Sequence, residues 1–520
     1  MSALVSLQIK EPEWSKPAEQ IFIGKDILEL LSTSMYVEPL TMYREYIQNA
    51  VDAHDADRAT NTSQTPGTVR INIDRKERSI VISDNGLGLS QHEFYKYLTS
   101  IGGSSKRGTN ARGFRGVGRL AGLAYCQELI FRSRPRGKSS VYELRWDSRK
   151  VRNLLHAADS HLDLATIIAE TIEARTLSAI GYPEHFFEVE LRNVARHRDD
   201  RLLNATDVSR YLAQVAPVPF HPDFNFGKDI DSYLKEQHVA LTPFNVDMDG
   251  EGPIYRPHRD EIQVGGKVLK MMPPEMFTTL DREGEVAAVS WILHHEYLGT
   301  LPKSTLISGW RLRSGNIQVG ENNILEELFP ETRFNGWAVA ETHVLDKKIV
   351  PNGRRDNYEH SAHFSDLLTR LTPVAKDIAH RCRTSSITRN AIQRYEADLS
   401  KSEENIAIAA KPRTPGFVVA SLKEQIATSL TALEKATQRG LFNDSEGEKF
   451  QLRIKRVARR LKSLPDEVDA SGALKDFLPI QREILKDVID TIYLTEGRSE
   501  IADRLVGKIL SKLRARKKKR

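Results

Sequence analysis

Cysteine is almost absent: Cys126 and Cys382 are the two thiols in 520 residues. Two cysteines cannot build a disulfide framework, and such scarcity fits a reducing compartment. Long apolar runs are missing as well; none approaches the roughly 20 residues that a membrane-spanning helix needs. The opening MSALVSLQIKEPEWSK lacks the charged-then-apolar pattern of a secretory signal. There is no GxxxxGK loop followed by Ser or Thr, and no HExxH helix. His294-His295-Glu296 has the wrong spacing for a zinc site, and no other Cys/His set has metal-ligand spacing. These absences predict a cytoplasmic protein with no membrane contact and no zinc.

What is present is ordinary globular composition, 40% hydrophobic and 28% charged, which excludes a fibrous or wholly disordered chain. The net charge of +6 is local. Seven basic side chains and no acid lie between Lys512 and Arg520, which leaves the other 511 residues at −1. This basic tail is either a solvated, disordered end or a contact for nucleic acid or an acidic partner. The body itself carries no basic excess.

The chain reads as α+β in three parts. Up to residue 214, helical and strand signals alternate. From 215 to 380, prolines such as Pro217, Pro219 and Pro222 break the pattern, and strands mix with a few helices. From 381 to 511, apolar residues recur every third or fourth position, as in Leu422, Ile426, Leu430, Leu433 and in Ile480, Ile484, Val488, Ile492. Lys411–Gly416 reads as a linker within this helical part, and 512–520 is the tail.

Three elements near the N-terminus carry chemistry. The segment 37–58 predicts a helix with Met42, Tyr46, Ala50 and Val51 on its apolar face and Pro39 in its first turn. Spacings of four and three place Glu45, Asn49 and Asp52 together on the opposite face, a row that is equally consistent with a solvated surface. Asp84-Asn85-Gly86-Leu87-Gly88 follows a predicted strand, where an aspartate can accept a hydrogen bond from an exocyclic amine and glycines allow a tight turn. Ser90 and Glu93 then form a capping-box pattern before HEFYKYLTSI. Finally, Gly113, Gly116 and Gly118 precede RLAGLAYC, read as a helix whose N-terminus could cradle phosphate. Cys126 closes that apolar stretch and reads as core.

Together and in this order, the three elements resemble the ATPases that include gyrase, the heat-shock protein 90 chaperones, histidine kinases and the mismatch-repair clamps. The ENxxDA-type motif is Glu45, Asn49, Asp52 and Ala53; DxGxG is Asp84, Gly86 and Gly88; GxxGxG is Gly113, Gly116 and Gly118. The text of LTMYREYIQNAVDA and SDNGLGLSQHEFYKYLTSIGGSSK is most similar to heat-shock protein 90. IVPNGRRD, with Asn352, Arg355 and Asp356, resembles that family's middle-domain arginine loop. Departures are a phenylalanine pair in FFEVEL where the family carries a threonine, Glu359 in place of a glutamine, and a helical C-terminal third without counterpart. A histidine kinase is not expected, since no histidine precedes the helix that bears Glu45.

The resemblance implies a Bergerat-type ATP-binding α/β sandwich followed by a transducer-like α/β domain. It implies that Glu45 activates water, that Asn49 holds Mg²⁺ and that Asp84 binds adenine. Asp52, Ala53, Gly86, Gly88 and Leu89 would line the base site. Lys106, Gly113, Gly116, Val117 and Gly118 would wrap the phosphates, with Gly102–Gly113 as a lid that also carries Arg107 and Arg112. Arg355 would reach the terminal phosphate, with Arg354 as the alternative. The implied protein is a homodimeric clamp, dimerised by its helical third, that remodels a protein client. The rival is a clamp of the mismatch-repair or chromatin-compaction type that closes on DNA, in a bacterial defence or stress setting. It draws on the basic tail together with Arg132, Arg134, Arg136 and Lys138. A non-enzymatic, ATP-gated scaffold is the third reading.

Overall fold

The first helix among the described residues, α1, runs from Thr41 to Thr60. It starts later than the apolar spacing predicts, because Glu38–Leu40 form a turn in which the Glu38 carbonyl accepts from Thr41 N and its carboxylate from Leu40 N. Pro39 therefore sits in that turn and not in the helix. The molecule is a computed structural model. It describes residues 38–60, 66–100, 118–156, 163–196, 199–239, 241, 244–264, 266–411, 414, 416–437, 444–464, 474, 476–495 and 499–517. Two compact units are present, Met1–Ala379 and His380–Arg520. Among the described residues no helix is long and apolar enough to cross a membrane.

In the first unit α1 packs against a seven-stranded sheet. Its strands are β1 (Gly67–Asp74), β2 (Ser79–Asp84), β3 (Glu128–Arg134), β4 (Ser140–Asp147), β5 (Ile172–Ser178), β6 (Phe186–Arg192) and β7 (Phe244–Met248). The spatial order is β5-β4-β3-β6-β2-β1-β7, antiparallel throughout except for the parallel β1–β7 pair. Strand β7 therefore returns to this sheet from beyond residue 214, across the boundary that the proline-rich texture predicts. Alternation in β1 buries Val69 and Ile71 beneath α1. Helix α2 (Gln91–Thr99) opens at Ser90, whose N–H and hydroxyl both donate to the Glu93 carboxylate, at 3.1 and 2.6 Å. Phe94 and Leu98 of α2 are buried in the same core. RLAGLA is not an α-helix; Gly118–Ala124 forms a 3-10 helix. Helices α3 (Ser148–His156), α4 (Leu164–Thr171) and α5 (Ala205–Val215) complete this layer.

After α6 (Gly227–Glu236) comes a hairpin of β8 (Glu261–Val264) and β9 (Lys267–Lys270). The second sheet then has the order β10-β11-β14-β12-β13. These strands are Glu275–Leu280, Val286–Ile292, Gly309–Ser314, Ile317–Val319 and Val339–Val344 for β10 to β14. Trp291, Val289 and Val339 pack with Ile230 and Leu234 of α6 in a second apolar core. The same sheet also buries charge. Arg311 and Arg313 of β12 pair in register with Glu341 and His343 of β14. Glu341 holds Arg256 at 2.8 Å and Arg313 at 2.7 Å, all three being at most 2% exposed. Arg313 also donates to the Gln214 carbonyl (2.7 Å), which ties the end of α5 to this sheet.

Helix α7 (Ala362–Ala409) contains the division between the units. The second unit continues as α8 (Gly416–Thr437), α9 (Asp444–Lys462), α10 (Pro479–Thr495) and α11 (Ser499–Lys517). The 422–433 stripe is buried, together with Ile454, Val457 and Ile489. The four-residue stripe on α10 behaves otherwise. Ile480, Ile484 and Val488 are exposed, while Leu485, Ile489 and Tyr493 face the core. The basic end is helical as far as Lys517, so a disordered tail beginning at 512 is not what the chain adopts. Residues 518–520 lie outside the described residues.

Candidate functional site

The polar face of α1 is buried. Glu45 is 7% and Asp52 6% exposed, so this row is not a solvated surface. Asn49, Asp52 and Ala53 instead line a cavity of about 250 Å³ between α1 and the sheet. Asp84, Gly88 and Leu89 line the same cavity from the turn after β2, and Phe187 from β6. Phe187 belongs to the pair that departs from the family pattern.

Asp84 stands at the end of β2, opposite Val69 on one side and Phe187 on the other. Its carboxylate accepts from Gly86 N at 2.8 Å. Burial pushes its pKa up to about 7, and the hydrogen bonds from the Gly86 and Phe187 backbones only partly offset this. A carboxyl in this state can accept from an amine at neutral pH at little cost. Gly86 leaves no room for a side chain, since a Cβ would stand 2.9 Å from Asp84 Oδ1 and 3.4 Å from the Ala53 methyl. Gly88 has φ +69°, and a Cβ there would collide with the Arg134 carbonyl. Its missing side chain therefore serves the approach of a neighbouring backbone, not a ligand alone. The Leu89 N–H donates to Ser133 Oγ (2.8 Å), which pins the turn to β3.

Gly118 ends the glycine-rich stretch directly against Glu45; a Cβ at this position would overlap the Glu45 Oε2 atom. Lys106, Gly113, Gly116 and Val117, and the whole lid segment, lie outside the described residues. The opposite oxygen of Glu45 meets arginine: Oε1 is 3.4 Å from Arg355 Nε and 3.9 Å from Arg44 Nη2. It accepts no aligned hydrogen bond. Arg355 is buried, whereas Arg354 is exposed and contributes its carbonyl to Arg44 at 3.1 Å. The Arg355 backbone is left-handed, φ +56°, a conformation that costs a non-glycine residue about 1–2 kcal/mol. The surrounding turn holds it: Arg355 N donates to Asn352 O, and Gly320 N donates to Arg355 O at 2.8 Å. Arg44 and Arg355 also line a second cavity of about 510 Å³ beside the first turn of α1.

Two residues of this site fall outside the three motifs. Arg44 was legible only as the residue before Glu45. Arg119, one position past the last glycine, is 3% exposed and lines the first cavity with Tyr97. The basic residues invoked for DNA are largely committed elsewhere. Arg132 is held by Glu143, Glu188 and Glu190 at 2.7–2.8 Å. Arg134 donates to the carbonyls of Lys138 and Pro183, and Arg136 pairs with Asp57. Lys138 is exposed. Cys126 is buried as core, its thiol pushed up to about 12 by desolvation. No group of three His, Cys, Asp or Glu side chains suited to a metal ion occurs among the described residues. His294 and His295 instead bond Tyr297, Glu275 and the Trp337 carbonyl.

Residues 40–171 match the family described as histidine kinase-, DNA gyrase B-, and HSP90-like ATPase. Similar curated proteins include the chaperone protein HtpG of Nitrosomonas eutropha, 29% identical over 144 residues, or 24% of this chain and 22% of that protein. HtpG of Acinetobacter baylyi is 28% identical over 171 residues, covering 26% and 27%. HtpG of Polaromonas naphthalenivorans is 30% identical over 143 residues, covering 24% and 22%. The chain thus spans about a quarter of the length of the curated relatives it matches. The matched segment holds α1, the turn after β2 and the 3-10 helix, and it is this N-terminal part of the chain that is similar to the histidine kinase-, DNA gyrase B- and HSP90-like ATPases.

Proposed function

We propose that the chain is a Mg²⁺-dependent ATPase of the heat-shock protein 90-like type, a homodimeric clamp that remodels a protein client. The observation that carries this reading is the meeting of Arg355 with Glu45, which brings the loop after the second sheet to the helix of the first motif. In this reading Asp84 accepts from the adenine amine, and Glu45 orients a water and takes its proton. Arg355 supplies positive charge as charge develops on the transferred phosphate. Asn49 lines the cavity, and its amide oxygen is a hard donor that would suit Mg²⁺. When bound, that ion neutralises phosphate charge. Because Arg355 lies in a different element from Glu45, hydrolysis would depend on the second sheet staying docked.

Protein remodelling is favoured over DNA closure because Arg132, Arg134 and Arg136 already satisfy acids and carbonyls. The first test is ATP turnover by the wild type, Glu45→Ala and Arg355→Ala, each with and without double-stranded DNA at low salt. The expected result is slow, Mg²⁺-dependent turnover that DNA does not change. Glu45→Ala should abolish it, and Arg355→Ala should lower it by about two orders of magnitude or more. Several-fold stimulation by DNA, lost on deleting residues 512–520, would hand the case to the DNA clamp. Equal inactivity of wild type and Glu45→Ala with retained ATP binding would leave an ATP-gated scaffold.

A further inference from the structure

Most buried and half-buried arginines in the first unit answer to carboxylates. Arg132 faces three glutamates, Arg256 and Arg313 share Glu341, and Arg355 meets Glu45. Two of the buried ones do not: Arg311 donates to the Gln214 side chain and the Ser308 carbonyl, and Arg119 stands at a cavity wall. It is 3% exposed and borders the 250 Å³ cavity, yet it meets no carboxylate among the described residues. Its guanidinium lies 4.5 Å from the centroid of the Tyr97 ring and donates to the Ser100 carbonyl. Its Nε is buried and has no hydrogen-bond partner among the described residues. Asp84, in the same cavity, is committed to the Gly86 N–H and makes no ion pair with Arg119 among the described residues. Burial lowers the Arg119 pKa, so the charged form is held at a cost that a neighbouring anion would offset.

From this geometry we infer that Arg119, backed by the Tyr97 ring, forms an anion subsite of the cavity that takes a phosphate group of the bound nucleotide. The inference rests on the nucleotide reading of the cavity. Three features support it. An arginine has a planar fork that fits phosphate oxygens. The Tyr97 face holds that fork from behind. The residue directly follows Gly118, the glycine packed on Glu45, so the subsite and the reacting end of the site share one turn of chain. A base-binding residue and a phosphate-binding residue would then line one cavity from different elements.

The experiment compares ADP with adenosine, measured by calorimetric titration of the full chain, wild type and Arg119→Leu. The expected outcome is a loss of about tenfold or more in ADP affinity, with adenosine affinity unchanged within about twofold. Adenosine binding reports that the cavity is intact. If Arg119→Leu does not fold, Arg119→Gln decides by the same comparison, since it keeps a polar side chain and removes the charge. Equal losses for ADP and adenosine, or no loss for ADP, would overturn the subsite. So would a wild type that binds adenosine as tightly as ADP. A wild type that binds neither would overturn the nucleotide reading itself.

Discussion

Asp84 shows how one side chain can carry both recognition and a pH response. Its carboxyl is pushed up to about 7 by burial, so near neutrality it is poised between acid and carboxylate. A ligand amine is accepted by the ionised form. Deprotonating Asp84 must therefore precede or accompany binding, and affinity should rise with pH until the group is fully ionised. We expect adenosine, which has no phosphate to titrate, to lose about tenfold in affinity per unit of pH well below 7 and to level off above it. Asp84→Asn should bind more weakly and show no such slope in titrations across the same range. A wild-type affinity flat from about pH 5.5 to about 8 would remove Asp84 from the base site. The neighbouring glycines act through space alone: Gly86 makes room for the Asp84 carboxylate, and Gly88 for the Arg134 backbone.

Elements, not single residues, bring the arginine loop to α1. Strands β12 and β14 lie parallel and in register, which sets Arg313 and Glu341 on one face of the second sheet. Burial alone would raise the Glu341 pKa, but Arg313 and Arg256 outweigh it and hold the carboxyl well below the usual range. His258 and His343 beside it are kept neutral, burial driving both down to about 3. Removing Glu341 takes from Arg256 and Arg313 the carboxylate they share and leaves Arg256 only the weaker pull of Asp231. Glu341→Gln should therefore destabilise the first unit by about 3–5 kcal/mol, read as a shifted urea transition of the full chain. A shift below about 1 kcal/mol would mean that water or relaxation satisfies the arginines without Glu341. Since Arg313 also grips the Gln214 carbonyl, the same change should loosen the end of α5.

At the scale of the whole molecule, α10 leaves an apolar face without cover. Ile480 is 73% and Ile484 59% exposed, spaced four residues apart with Val488. Such a row on one helix face suits a partner helix, and a second copy of the chain fits the clamp reading. Light scattering on the full chain should give the mass of a dimer, and Ile484→Glu should lower it toward that of a monomer with the helix content unchanged. A wild type that stays monomeric at tens of micromolar, an order-of-magnitude choice set by ordinary interface strengths, would remove the dimer from the proposal. This face was visible in the sequence as a periodic stripe, but periodicity did not say which stripes of the helical third are satisfied internally. Leu422, Ile426, Leu430 and Leu433 look the same on paper and are buried.

The sequence by itself determined the local pieces: α1 with Glu45, Asn49 and Asp52 on one side, the strand that delivers Asp84, and the Ser90–Glu93 helix start. Each depends on hydrogen bonds and apolar spacing among residues a few positions apart, so a single chain segment contains the whole cause. Its limits were local as well. Pro39 marked the approach to α1 but not its first residue, and RLAGLA took the 3-10 form although its composition suits an α-helix. Tertiary structure decided the rest. It chose Arg355 over Arg354 for Glu45, joined β7 to the first sheet, committed Arg132 and Arg136 to acids, and set Arg119 at the cavity wall. These outcomes depend on which charges share a buried volume once distant segments pack. Coulombic and desolvation energies are set by that packing, and no spacing along the chain encodes them.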